Sequence, residues 1–224
     1  MINLRARQER PDPRTVSTAS VELETASLTL GVLARLRAAT SSAHSHIEQN
    51  PRLASLMMPG LTEEGYLEVL LRYHAYFARI EPILFAKLGT FIPSGELDKR
   101  RKVPLLEIDL EELGALNCIS SEPIPPPSFM STGQALGRLY VHEGASLGGR
   151  LIHTALDRNL GQHRRVSSRF FEGYGRDSAE VWRCTRTFIE TGISGELELR
   201  DAINAATTTF LEINQAMSAG TELP

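Results

Sequence analysis

The chain has 224 residues, 42% hydrophobic and 23% charged, which suits a single globular domain with a sizeable core. Its net charge of −3 gives no general attraction for nucleic acid or an anionic membrane surface, so an anionic ligand must be met by a local basic group. The two cysteines, Cys118 and Cys184, lie far apart without CxxC spacing, and no apolar run approaches the ~20 residues of a membrane span or forms a secretory leader. Zinc and iron-sulfur sites, a disulfide framework, nucleic-acid binding and membrane insertion are thereby disfavoured, and a reducing cytoplasm is the expected setting.

Residues 1–25 carry arginines, prolines, serines and threonines without apolar period, and are expected to form a flexible tail. The folded domain is expected over 26–218, with 219–224 as a short C-terminal tail. From Leu28, the residues Leu30, Leu33, Leu36, Thr40, His44 and Ile47 recur at helical spacing, and Pro51 is expected to end this first helix. Thr62 is the expected N-cap of a long amphipathic helix through Leu67, Leu70, His74, Phe77, Ile80 and Leu84, with acidic Glu63 and Glu64 in its first turn and a kink at Pro82. A polar, basic stretch from Asp98 to Lys102 precedes a short helix from about Leu105 to Leu113, and Pro123, Pro125, Pro126 and Pro127 impose an extended surface loop. Three more helices are expected, from about Thr132 to Leu160, from a cap at Asp177, and from about Glu196 to Met217. No run of alternating β-branched residues and no internal repeat is present, so the fold class is all-α.

Two segments carry chemistry. His44 falls on the apolar face of the first helix and is expected to point inward, whereas His46, about 200° further round, faces away. A lone inward histidine is either a ligand or a hydrogen-bonded core residue. In the helix after Thr132, Gly137, Gly144 and Gly148 share one face, each costing ~1 kcal/mol relative to alanine. That bare face either admits something flat or lets another helix pack closely, and spacing alone leaves both open.

Three stretches carry a resemblance: Leu36-Arg-Ala-Ala-Thr-Ser-Ser-Ala-His-Ser-His-Ile-Glu48, Tyr140-Val-His-Glu-Gly-Ala-Ser-Leu-Gly-Gly149, and Phe170-Phe-Glu-Gly-Tyr-Gly175 followed by Trp182-Arg183. They resemble the proximal helix, the distal helix and a third segment of heme oxygenases, in family order, and most closely the bacterial branch associated with bacteriophytochromes. The resemblance implies a single helical domain clamping heme, which is both substrate and cofactor, between proximal and distal helices. It implies His44 as iron ligand, Glu48 as its acidic neighbour, and Gly144 and Gly148 as distal glycines beside Gly149. Arg37 and Arg183 match basic positions that meet the propionates, as guanidinium geometry suits, and Tyr140 adds a hydroxyl. Ala145 departs from relatives with a polar residue near the distal glycines, which leaves Ser146 as a candidate catalytic group, while His142 points off the heme-facing stripe.

The implied reaction opens heme to biliverdin and releases carbon monoxide and ferrous iron, using dioxygen and external electrons. No flavin or nicotinamide motif is encoded, so a ferredoxin or flavoprotein is the implied electron donor, and a bacteriophytochrome is a candidate recipient of the product. Two other readings remain: a heme- or bilin-binding module that does not cleave the ring, and a thiaminase-like hydrolase using Cys184.

Overall fold

The computed structural model describes residues 31–119, 130–160 and 168–218. The expected tails at 1–25 and 219–224 and the loop around Pro123 to Pro127 lie outside those residues. Among the described residues every regular element is helical.

Helix α1 spans Val32–Glu48. As expected it ends before Pro51, at Glu48, and Asn50 caps a new short helix α2, Pro51–Ser55, by accepting from the Arg52 amide at 3.1 Å. Proline fits there because the first helical amide has no partner to lose. In α3, Glu63–Leu88, Thr62 accepts from the Gly65 amide at 3.1 Å, and Pro82 sits inside a continuous helix. After α4, Ser94–Asp98, comes α5, Val103–Glu112. The long α6, Thr132–Asn159, opens on a reciprocal capping box between Ser131 and Gln134. A single turn, α7, Arg169–Glu172, is held by buried Asp109, which accepts from the amides of Arg169 at 2.8 Å and Phe170 at 3.0 Å. Helix α8 is Ser178–Gly192, where the expected side-chain cap from Asp177 is not formed; α9 is Glu196–Ser218.

Helix α9 is the spine. It packs along α6 on one side and α1 on the other, while α3 lies against α5, α6 and α9, and α8 against α6 and α1. Leu36, Leu70, Phe77, Leu136, Leu139, Ala202 and Ala206 share the core. Contacts advance together along both pairs. Gly133 meets Glu198 and Gly137 meets Ala202; Arg35 bonds Glu196, His44 touches Phe210, and Asn50 donates to Asn214 at 2.8 Å. Helices α1, α6 and α9 therefore run parallel. Arg52 and Arg72 close the far end by donating to the Met217 and Ala216 carbonyls at 2.5 and 2.8 Å, where the helix dipole favours positive charge.

The glycine face serves two ends. A β-carbon at Gly137 would lie 2.1 Å from the Ala202 carbonyl oxygen, and one at Gly133 2.3 Å from that of Glu198, so this half of the face exists for close helix packing. At Gly144 and Gly148 an added β-carbon meets nothing within 4 Å among the described residues. The two halves predict opposite responses. Gly137→Ala is expected to overpack the core and lose about 1–3 kcal/mol, whereas Gly144→Ala is expected to gain up to about 1 kcal/mol of helix stability; chemical denaturation of the ligand-free variants checks both.

Candidate functional site

The site follows from that change along α6. Seven residues beyond Gly137, the same face arrives at Gly144, and an equal advance along parallel α9 arrives at Thr209, beside Phe210. The backbone contact made at Gly137 is not repeated at Gly144, where no described residue lies within 4 Å of an added β-carbon, so the space beside this face forms a wedge. From α1, His44 enters at the same level, its ring edge-on to Phe210 at 5.4 Å between centroids and 84° between planes.

The His44 side chain is 55% exposed, which corrects the expectation of an inward residue. A helical wheel assigns the side of α1 from which the residue projects, and α6 has already moved away at that level. The core reading fails with it. His44 Nδ1 lies 3.4 Å from Glu48 Oε1, one turn on, which leaves Nε2 on the opposite ring edge. A carboxylate against one imidazole nitrogen is the usual means of fixing tautomer and orientation when the other binds a metal. His46 is exposed on a different side of α1.

Facing it, α6 presents Gly144 and Gly148 flanked by Leu147 and Leu151, which are 40% and 68% exposed. Bare backbone bordered by exposed leucines suits a flat apolar ligand. Tyr140 lies on the same flank, its ring 6.0 Å from Trp182 of α8. Arg37 is exposed two turns before His44 on the same stripe of α1, roughly 10 Å along the axis. Arg183, next to Trp182, is exposed and bonded through Nε to Glu180 at 2.9 Å. A separate concavity is lined by Arg35, Glu196, Leu197, Leu199, Arg200 and Ile203, none of them a histidine or cysteine. Half-buried Cys184 has its sulfur against Glu180, without a histidine, so the hydrolase reading gains no support.

Two expected site residues are on the wrong side. Gly149 is buried against α7, where an added β-carbon would come 2.7 Å from the Phe171 carbonyl oxygen. It is a packing residue. Ser146 is also buried and points to the back of α6, so it does not share the face of Gly144 and Gly148.

That back face holds a cluster missed at the sequence level. Glu81 of α3, Arg100, Lys102, and His142, Glu143 and Ser146 of α6 are all buried. Lys102 Nζ donates to Ser146 Oγ at 2.7 Å and to the Tyr174 hydroxyl at 3.0 Å, and it lies 4.4 Å from the Tyr174 ring centroid. Its backbone amide donates to Glu81. The Tyr174 hydroxyl donates to Glu143 at 2.9 Å; Arg100 donates to Thr185 at 2.7 Å and stands 3.4 Å from Glu143. His142 bridges Glu143 at 3.1 Å and Glu81 at 3.3 Å. It thus faces away from the wedge, as its helical position requires.

No protein-family model matches the chain. A heme oxygenase of Xanthomonas campestris is 33% identical over 156 residues, covering 70% of this chain and 90% of that protein. The chain belongs to the heme oxygenase family. Solved heme oxygenases share its fold. That of Neisseria meningitidis superposes with a TM-score of 0.68 at 20% identity, covering 88% of this chain and 98% of that one. The Leptospira interrogans enzyme gives 0.66 at 15% identity over 84% and 99% of the two chains, and a cyanobacterial one from Synechocystis, solved in complex with heme, gives 0.66 at 13% over 84% and 91%.

In this heme oxygenase, the charge balance behind α6 should register in acid. Burial pushes the Glu143 carboxyl up, but Lys102, His142 and Arg100 outweigh it and hold it down to about 2, against 4.5 unperturbed. A depressed folded-state pKa contributes stability that is full above the unfolded value and lost as pH falls through the folded one. Unfolding free energy is therefore expected to fall between pH 4.5 and 2, and less steeply in Glu143→Gln, as denaturant titrations at stepped pH will show.

Proposed function

We propose that this chain is a working heme oxygenase, opening heme to biliverdin and releasing carbon monoxide and ferrous iron with dioxygen and external electrons. The observation that carries it is His44, oriented by Glu48, on the level at which α6 parts from α9 and bares Gly144 and Gly148. The bound heme supplies the iron that reacts with dioxygen.

The chain's own residues do the rest. His44 Nε2 is the iron ligand, with Glu48 fixing the ring. Phe210 forms the floor under the imidazole, and Leu147 and Leu151 give the macrocycle apolar flanks. With no side chain at Gly144 and Gly148, the backbone of α6 can approach the macrocycle and exclude bulk water. Arg37 is assigned to a propionate; Arg183 is assigned to the other and would exchange Glu180 for it. Where these two arginines pin the carboxylates sets the ring's rotation, and hence which meso carbon faces the reaction.

The electron donor is assigned to a ferredoxin or flavoprotein. The resemblance of residues 170–175 and Trp182-Arg183 to the bacteriophytochrome-associated branch supports supply of biliverdin to such a photoreceptor. The free thiols of Cys118 and Cys184 support a cytoplasmic location.

The test is to add hemin to the purified protein and supply ascorbate or a ferredoxin reductase system in air, with His44→Ala alongside. The Soret band is expected to decay as a biliverdin band grows, and His44→Ala to lose most or all of this conversion. A Soret band that persists under turnover would leave a heme-binding protein, and no Soret band at all would overturn heme binding as well.

A further inference from the structure

Among the described residues nothing lies within 4 Å of a β-carbon added at Gly144 or Gly148, so within them the position of this backbone is set from behind. Each residue on the back is gripped by another element: His142 by Glu81 of α3, Glu143 by Tyr174 and Arg100, Ser146 by Lys102, and Gly149 by the Phe171 backbone. Glu143 immediately precedes Gly144, and Ser146 lies two residues from both Gly144 and Gly148. Any displacement of these anchors is carried directly to the bare segment.

Lys102 joins the anchors. Through its backbone it is fixed to Glu81, and through Nζ it holds Ser146 directly and Glu143 by way of the Tyr174 hydroxyl. Its own position is set by the start of α5, of which it is the N-terminal flanking residue. Stability is a poor explanation for such a cluster, because a buried set of ions is often no more stabilising than well-packed apolar side chains of the same volume. Charged hydrogen bonds do, however, fix distances and directions that apolar packing leaves free.

We propose that Lys102 is a positioning residue for the heme reaction, holding the Gly144–Gly148 backbone at its working height through Ser146, Tyr174 and Glu143. The proposal rests on the heme oxygenase reading above and adds a group that never touches the macrocycle. Cutting the Lys102 grip should leave heme binding by His44 nearly intact and slow the chemistry, since misplacement of a catalytic wall costs rate more than affinity.

The decisive variants keep every buried charge in place: Ser146→Ala and Tyr174→Phe, singly and combined; Lys102→Met, which removes one, is the more drastic form. Two kinds of readout are needed. In the ligand-free protein, amide hydrogen exchange over residues 143–149 is expected to quicken by about tenfold in the double variant, with residues 66–77 of α3 unchanged. In the heme complex, the affinity for hemin should stay within about threefold while kcat falls by about tenfold or more, and the carbon–oxygen stretch of the ferrous carbonyl adduct should shift. Wild-type exchange, or a wild-type kcat with an unshifted carbonyl band, in a folded double variant would overturn the proposal. The two readings fail separately. If the unmutated protein binds hemin and never opens it, the enzymatic reading falls, while exchange and the carbonyl band still report whether Lys102 sets the height of the segment.

Discussion

The molecule depends on one contact, the close parallel approach of α6 to α9 through Gly133 and Gly137. With backbone against backbone at that end, the two helices are fixed in register, and small differences in direction become a gap further along. Gly144 and Gly148 stand where the gap has opened, and α1, packed on the far side of the same spine, delivers His44 to that level. One glycine face thus locks a helix pair at one end and leaves a slot at the other. A substitution at either end tests a different property of the same stripe.

A helix that bares its backbone on one side surrenders side-chain contacts there and carries the conformational cost of its glycines. In compensation the other side is bound by an unusually dense set of polar contacts. Glu81 and Glu143 neutralise Arg100 and Lys102 in a volume from which water is almost excluded, and His142 joins the two carboxylates. Removing a single charge from such a set leaves its partner uncompensated and is strongly destabilising, and removing one hydroxyl costs less because both charges stay paired. The acid sensitivity expected of Glu143 and the positioning proposed for Lys102 share this origin.

Much of the architecture was legible in the residues. Thr62 announced one helix start and the stretch from about Thr132 another, and the apolar period through Leu36, Thr40 and His44 placed the helix that carries His44. Where sequence reasoning failed, the reason was tertiary. Pro51 closes the first helix and also starts the short Pro51–Ser55, which was missed because only the fold shows Asn50 capping it. Gly137, Gly144 and Gly148 are equivalent on a wheel; only the divergence of α9 separates packing glycines from open ones. Gly149 and Ser146 sit inside the matching motif yet face backwards, because a motif records neighbours along the chain and a helix turns each by about 100°. The stretch from Asp98 to Lys102 read only as polar and basic, and its two buried members, Arg100 and Lys102, were missed. A signal was available: Glu81 lies within the apolar period of α3, and His142 and Glu143 within that of α6, which is where a buried carboxylate needs a cation brought from elsewhere in the chain.

The proposed heme oxygenase activity requires a flat ligand between His44 and the open end of the glycine face. The crystal structure of the protein with hemin tests it most directly. It should show the iron bound by His44 Nε2, Glu48 against Nδ1, and the macrocycle under the backbone of Gly144 and Gly148 with Leu147 and Leu151 at its edge. Iron held by another residue such as His46, or the macrocycle in the concavity beside Arg35 and Arg200, would contradict it.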